Sequence, residues 1–134
     1  MSRLSIVAGT GAVVHVGFAI AEMAFWTRGF AAFATRRWPL ADDTPETMAR
    51  HIEWAAPLAW NVGAYNLALA LGLAWVAARG VSATGPLGIF LALWLLVAAA
   101  AAGWTGIYAA LLIQGALGLA LLLLCLGIIA DRAG

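Results

Sequence analysis

The chain is short of almost everything a water-soluble domain of its size needs. Only 10% of its 134 residues are charged, it has no lysine, and it has a single cysteine. Scarce charge excludes a domain that covers its surface with ionic side chains, and a net charge of +1 argues against a nucleic-acid binder. With Cys125 alone, no intramolecular disulfide can form. No nucleophile elbow, phosphate loop or dinucleotide fingerprint is present. His15, Glu22 and His51 match no metal-ligand spacing, so no metal site is expected.

What the chain has instead is apolar length. Hydrophobic residues make up 65% of it, with a mean hydropathy of +0.98. Values this far from globular norms indicate a membrane protein. Four apolar stretches, about 4–26, 54–78, 87–102 and 107–130, are each long enough to cross a bilayer, some with little to spare. The expected fold is all-α: an antiparallel four-transmembrane-helix bundle forming one membrane domain over 1–134.

A signal peptide is the competing reading of the first stretch, with Arg3 as its basic start and Ala19-Ile20-Ala21 as a cleavage-like site. His15 interrupts the apolar run, so a retained helix is expected. Residues 27–53 form the one extended connection. Within it, Asp42-Asp43-Thr44-Pro45-Glu46 reads as a helix start: a capping side chain, proline in the first turn, then an acid. That helix is expected to run directly into the second span, with Pro57 as a kink or a separate start. Arg79-Gly80 ends it, Ser82 to Gly85 forms a turn, and Pro86 begins the third span. Gly103-Trp104-Thr105-Gly106 is a joint so short that the third and fourth spans must be antiparallel neighbours.

Arginine asymmetry barely orients the chain. Arg28, Arg36, Arg37 and Arg50 lie on the long-loop side, against Arg3, Arg79 and Arg132 on the other. The positive-inside rule therefore leans only slightly toward a cytoplasmic long loop.

Polar residues inside the spans are the functional clue, because hydrocarbon offers them no hydrogen-bonding partner. They are His15, Glu22, Asn61, Asn66 and Gln114, with Tyr65 beside the asparagines. His15 and Glu22 are seven residues apart, so they share one face about 10 Å apart along the axis. Trp54, Asn61, Tyr65 and Gly72 share a face of the second span, and Asn66 points elsewhere. Gln114, Gly118 and Cys125 line up on the fourth. The expectation is an intramembrane polar pocket lined by His15, Glu22, Asn61 and Gln114, with Trp26, Trp54, Trp104 and Tyr108 around its mouth. The simpler reading of the amides is that they join helices by hydrogen bonds. The simpler reading of His15 is a satisfied core residue, and of the tryptophans, interfacial anchors.

These residues also carry a resemblance. His15-Val-Gly-Phe-Ala-Ile-Ala-Glu22-Met23-Ala-Phe-Trp26 resembles the first helix of small four-span bacterial membrane proteins grouped as a domain of unknown function. Asn61-Val-Gly63-Ala-Tyr65-Asn66 looks like that family's Asn-x-Gly-x-Tyr-Asn signature in the second helix. Ala102-Gly103 through Gly106, and Gln114, resemble its third and fourth helices. The long 27–53 loop and the lack of a proline after Gln114 depart from the pattern. The resemblance implies four spans and brings no established activity; the expected location of such a chain is the inner (plasma) membrane, as a multi-pass protein.

Three functions fit these features. In the first, a small amphiphilic molecule binds the pocket, in an enzyme or a binding protein, with Glu22 and His15 as charge partner or acid–base pair. In the second, the chain is an accessory subunit docked on a larger membrane complex. The third is a small dimeric transporter, whose first-span glutamate is the only likeness found. Partners are then the lipid bilayer, an amphiphilic ligand, a larger complex or a homo-oligomer, and no nucleic acid.

Overall fold

A computed structural model of the chain describes residues 1–27 and 44–127. The described residues are helical and contain no strand. Four helices follow in order: α1 (Arg3–Ala24), α2 (Pro45–Arg79), α3 (Val81–Trp104) and α4 (Tyr108–Cys125). Each is long and apolar enough to cross a membrane. The protein is thus an all-α, multi-pass membrane protein.

The helix boundaries follow from local chemistry. Ser2 caps α1, its Oγ accepting from the Ser5 N–H at 3.1 Å. Thr44 and Thr47 cap α2 reciprocally. The Thr47 N–H donates to Thr44 Oγ1 (3.2 Å), and the Thr44 N–H donates to Thr47 Oγ1 (2.8 Å). Pro45 then sits at the first helical position, where its missing N–H costs nothing. As anticipated, α2 runs on through Pro57 as one element of 35 residues. Its length of about 52 Å exceeds a hydrocarbon core of about 30 Å. The first turns, with exposed Glu46, Arg50, His51 and Glu53, are the part suited to water.

Two boundaries differ from the sequence reading. The third helix begins at Val81 and not at Pro86. Gly80 adopts φ 74°, a left-handed conformation that reverses the chain in one residue, so no longer turn is needed. Pro86 is the sixth residue of α3, past the first turn, so the helix runs through it with one main-chain donor missing. The fourth helix ends at Cys125, short of residue 130. Gly127, at φ 71°, donates to the Leu124 carbonyl and closes the last turn. The Gly103–Gly106 joint behaves as expected. The Gly106 N–H donates to the Gly103 carbonyl and the Ile107 N–H to the Ala102 carbonyl, the two bonds of a Schellman stop.

The chain divides into two compact units. Unit 1 comprises Met1–Val14 and Leu69–Gly134, and unit 2 comprises His15–Ala68. In unit 1, portions of all four helices meet around one core. Leu4 of α1, Leu73 and Val76 of α2, Leu95 of α3 and Leu121 of α4 are essentially inaccessible. Ser5 Oγ donates to the Ala77 carbonyl at 2.8 Å, tying the start of α1 to the end of α2. A groove of about 260 Å³ is lined by Arg3, Ile6 and Val7 with Ala120 and Leu124. The start of α1 therefore lies beside the end of α4, as an even number of spans requires.

Small residues set how closely these helices approach, because in lipid it is packing, and not water exclusion, that holds helices together. A Cβ on Gly118 would lie 3.0 Å from the Ala92 carbonyl oxygen and 3.0 Å from Leu95 Cβ. A Cβ on Gly115 would meet Ala99 at an ordinary 3.7 Å. Gly118→Ala is therefore expected to lower stability by about 1–3 kcal/mol through overpacking. Gly115→Ala should change it little. Unfolding of the two variants in mixed detergent measures the contrast, and equal effects would contradict the packing argument.

Candidate functional site

Unit 2 pairs the second half of α1 with the first half of α2, and there the apolar pattern brings two polar side chains together. Glu22 and Asn66 are both half-buried, and Asn66 Nδ2 donates to Glu22 Oε2 at 2.7 Å. A short bond to an ionised acceptor is stronger than an amide pair. Among the described residues this is the only hydrogen bond of the Glu22 side chain, and it uses one of the two carboxylate oxygens. Arg28, the arginine next along the chain from Glu22, lies outside the described residues.

Gly63 makes the meeting possible. It is buried against α1, where an added Cβ would collide with Met23 Cγ and stand 3.2 Å from the Ala19 carbonyl oxygen. Only glycine lets the backbones come this near, and Asn66, three residues on, is then within reach of Glu22. Past the end of α1, Trp26 Nε1 donates to the Ile52 carbonyl at 3.0 Å. Moving along α1 from Glu22 to Trp26 thus moves back along α2 from Asn66 to Ile52, so the two segments are antiparallel. Neither the Gly63 approach nor the Trp26 bond was singled out from the sequence. The glycine inside Asn-x-Gly-x-Tyr-Asn was the available signal for the first, and the indole bond to a main-chain carbonyl has none.

The other expected residues divide. His15 is fully buried, and its ring meets Phe18 edge-on at 5.5 Å and 84°. Gln114, in unit 1, is buried on α4 in one stripe with Gly118, Leu121 and Leu124. Among the described residues no buried side-chain nitrogen or oxygen lacks a hydrogen-bond partner.

Asn61 and Tyr65 are exposed, and for Asn61 this corrects the expectation that it faces the interior. The reason is helical phase. Ala59, Gly63, Asn66 and Ala70 follow the four- and three-residue spacing of one face, and they are buried or half-buried. Asn61 lies two residues from Gly63, about 200° around the helix. The tryptophans and Tyr108 also divide. Trp54, Trp104 and Tyr108 are largely exposed, while Trp26 is half-buried by its hydrogen bond.

A family model described as "Protein of unknown function (DUF1304)" matches residues 9–126, which include most of all four helices. The chain belongs to this family. No curated protein and no solved structure matches it. Membership leaves the activity to be argued from the site.

Among the described residues no three His, Cys, Asp or Glu side chains are grouped to hold a metal ion. The Glu22–Asn66 pair offers different chemistry: a carboxylate oriented by an amide, with acceptor capacity left on one oxygen.

The pair generates a double-mutant prediction. Asn66→Leu should destabilise the protein by about 1–3 kcal/mol, because it removes the donor and leaves the carboxylate. Replacing both residues together, Glu22→Leu with Asn66→Leu, should cost less than the sum of the single changes. A cycle of unfolding free energies in detergent tests this, and strict additivity would mean the bond contributes nothing.

Proposed function

We propose that the protein binds the polar head of a small amphiphilic molecule at Glu22, with Asn66 holding the carboxylate in place. The observation that carries this reading is the partly exposed Glu22 carboxylate, whose one hydrogen bond among the described residues leaves Oε1 without a donor. An acid inside an apolar span is costly, about 2.5–3.5 kcal/mol even on insertion scales, and such residues by default mark function. A carboxylate only accepts hydrogen bonds when ionised. The favoured ligand therefore carries a cationic or hydrogen-bond-donating head, with an apolar tail suited to the surrounding helices and lipid. His15 shares the Glu22 face of α1, two turns away, and is a second polar group along that face. Asn61, Tyr65 and Gln114 are left out of this site.

The alternative is an accessory subunit of a larger membrane complex. Its support is the exposure of Asn61 and Tyr65 on an apolar helix, where lipid cannot satisfy polar groups.

Native mass spectrometry of gently extracted protein separates the two readings. The ligand reading expects an adduct of small mass on the wild-type chain and its loss from Glu22→Gln. Gln retains an oxygen that accepts from Asn66, so the unfolding free energy of this variant should stay within about 1 kcal/mol of wild type. A variant that keeps the adduct but loses stability would make Glu22 a purely structural partner. A stoichiometric foreign protein without an adduct would favour the subunit reading.

A further inference from the structure

The face of α2 that turns away from Gly63 has a pattern of its own. Trp54, Leu58, Asn61, Tyr65 and Ala68 follow one another at alternating intervals of four and three residues. This is the heptad spacing that keeps one helical seam against another. All five are exposed, Trp54 at 77% and Leu58 and Tyr65 at 58% each. The opposite side of the same segment, with Gly63 and Asn66, is occupied by α1 within unit 2.

Depth makes the seam's polar members informative. Trp54 and Trp75 are 21 residues apart, about 31 Å of helix, which matches a hydrocarbon thickness of about 30 Å. Arg79 lies over the Trp75 ring at 5.3 Å, a pairing suited to an interface. Asn61 is then about 10 Å and Tyr65 about 16 Å along the helix from the Trp54 level. Acyl chains have no donor or acceptor to offer either side chain there.

A primary amide is self-complementary, since it carries both a carbonyl acceptor and N–H donors. Two copies of the chain in one membrane orientation hold Asn61 at the same depth. A two-fold axis along the membrane normal and beside that residue lets each amide donate to the other's oxygen. A single asparagine in an apolar seam also specifies register and strand number, while Ala68 leaves room for close approach. We propose that this face of α2 is a homodimer interface, a parallel left-handed crossing centred on the Asn61 amide of each copy.

Disulfide trapping in native membranes tests it. In a Cys125→Ala background, single cysteines replace Leu58 or Ala68 on the seam, and Trp60 or Leu67, which are exposed off it. Oxidation with copper–phenanthroline should give a band at twice the 13.9 kDa chain mass from the seam positions and leave the others monomeric. Adding Asn61→Leu to Leu58→Cys should reduce the trapped dimer roughly three- to tenfold, and Asn61→Gln should preserve it. Asn61 is exposed in the single chain, so this change leaves its own packing intact. Equal trapping on and off the seam, no trapping at the seam, a product containing a different protein, or a dimer indifferent to Asn61→Leu would each overturn the proposal.

Discussion

Hydrocarbon supplies no hydrogen bonds, and the polar side chains of this protein are arranged around that constraint. The bond from Asn66 to Glu22 expresses it most directly, because an ionised acid is the most expensive group to leave unsatisfied. Its demands reach outward through the helix pair. Asn66 must face α1, Gly63 must lack a Cβ so that α2 can come close, and Ala19 and Met23 must fill the space beside it. This contact and the close approach at Gly63 go together in setting how the two helices of unit 2 face each other.

Unit 1 answers the same solvent differently. Its core is leucine, valine, alanine and glycine, drawn from all four helices. Gly118 lets α4 approach the α3 backbone, main-chain bonds at Gly80, Gly106 and Gly127 close the helix ends, and Thr105 Oγ1 adds a donor to the Ala101 and Ala102 carbonyls at the end of α3. Large apolar residues such as Val97 and Leu112 stand outside, both 70% exposed, where acyl chains can cover them. Small residues at the points of closest approach, with leucines filling the core between them, suit helices held together by packing and not by water exclusion.

The Asn-x-Gly-x-Tyr-Asn run illustrates how one short motif serves two directions. Gly63 and Asn66 turn toward α1, while Asn61 and Tyr65 turn away. The inward pair joins helices within the chain. The outward pair leaves two polar side chains exposed on an apolar helix, the feature from which the proposed homodimer is argued.

Much of the architecture was legible in the sequence. Four apolar runs, the Thr44-Pro45-Glu46 start and the Gly103–Gly106 stop are local signals, and local signals survive into the fold because capping and chain reversal depend on neighbouring residues alone. Glu22 and His15 were likewise conspicuous, since a polar residue in a long apolar run stands out without any structure. What the sequence left open was which way each helix turns. When nearly every side chain is apolar, all faces of a helix look equally suited to burial, so periodicity cannot separate the Asn66 face from the Asn61 face. Only tertiary packing decided it: the collision that any Cβ at Gly63 would make with Met23 fixes the inward side, and with it the choice of Asn66 as partner of Glu22.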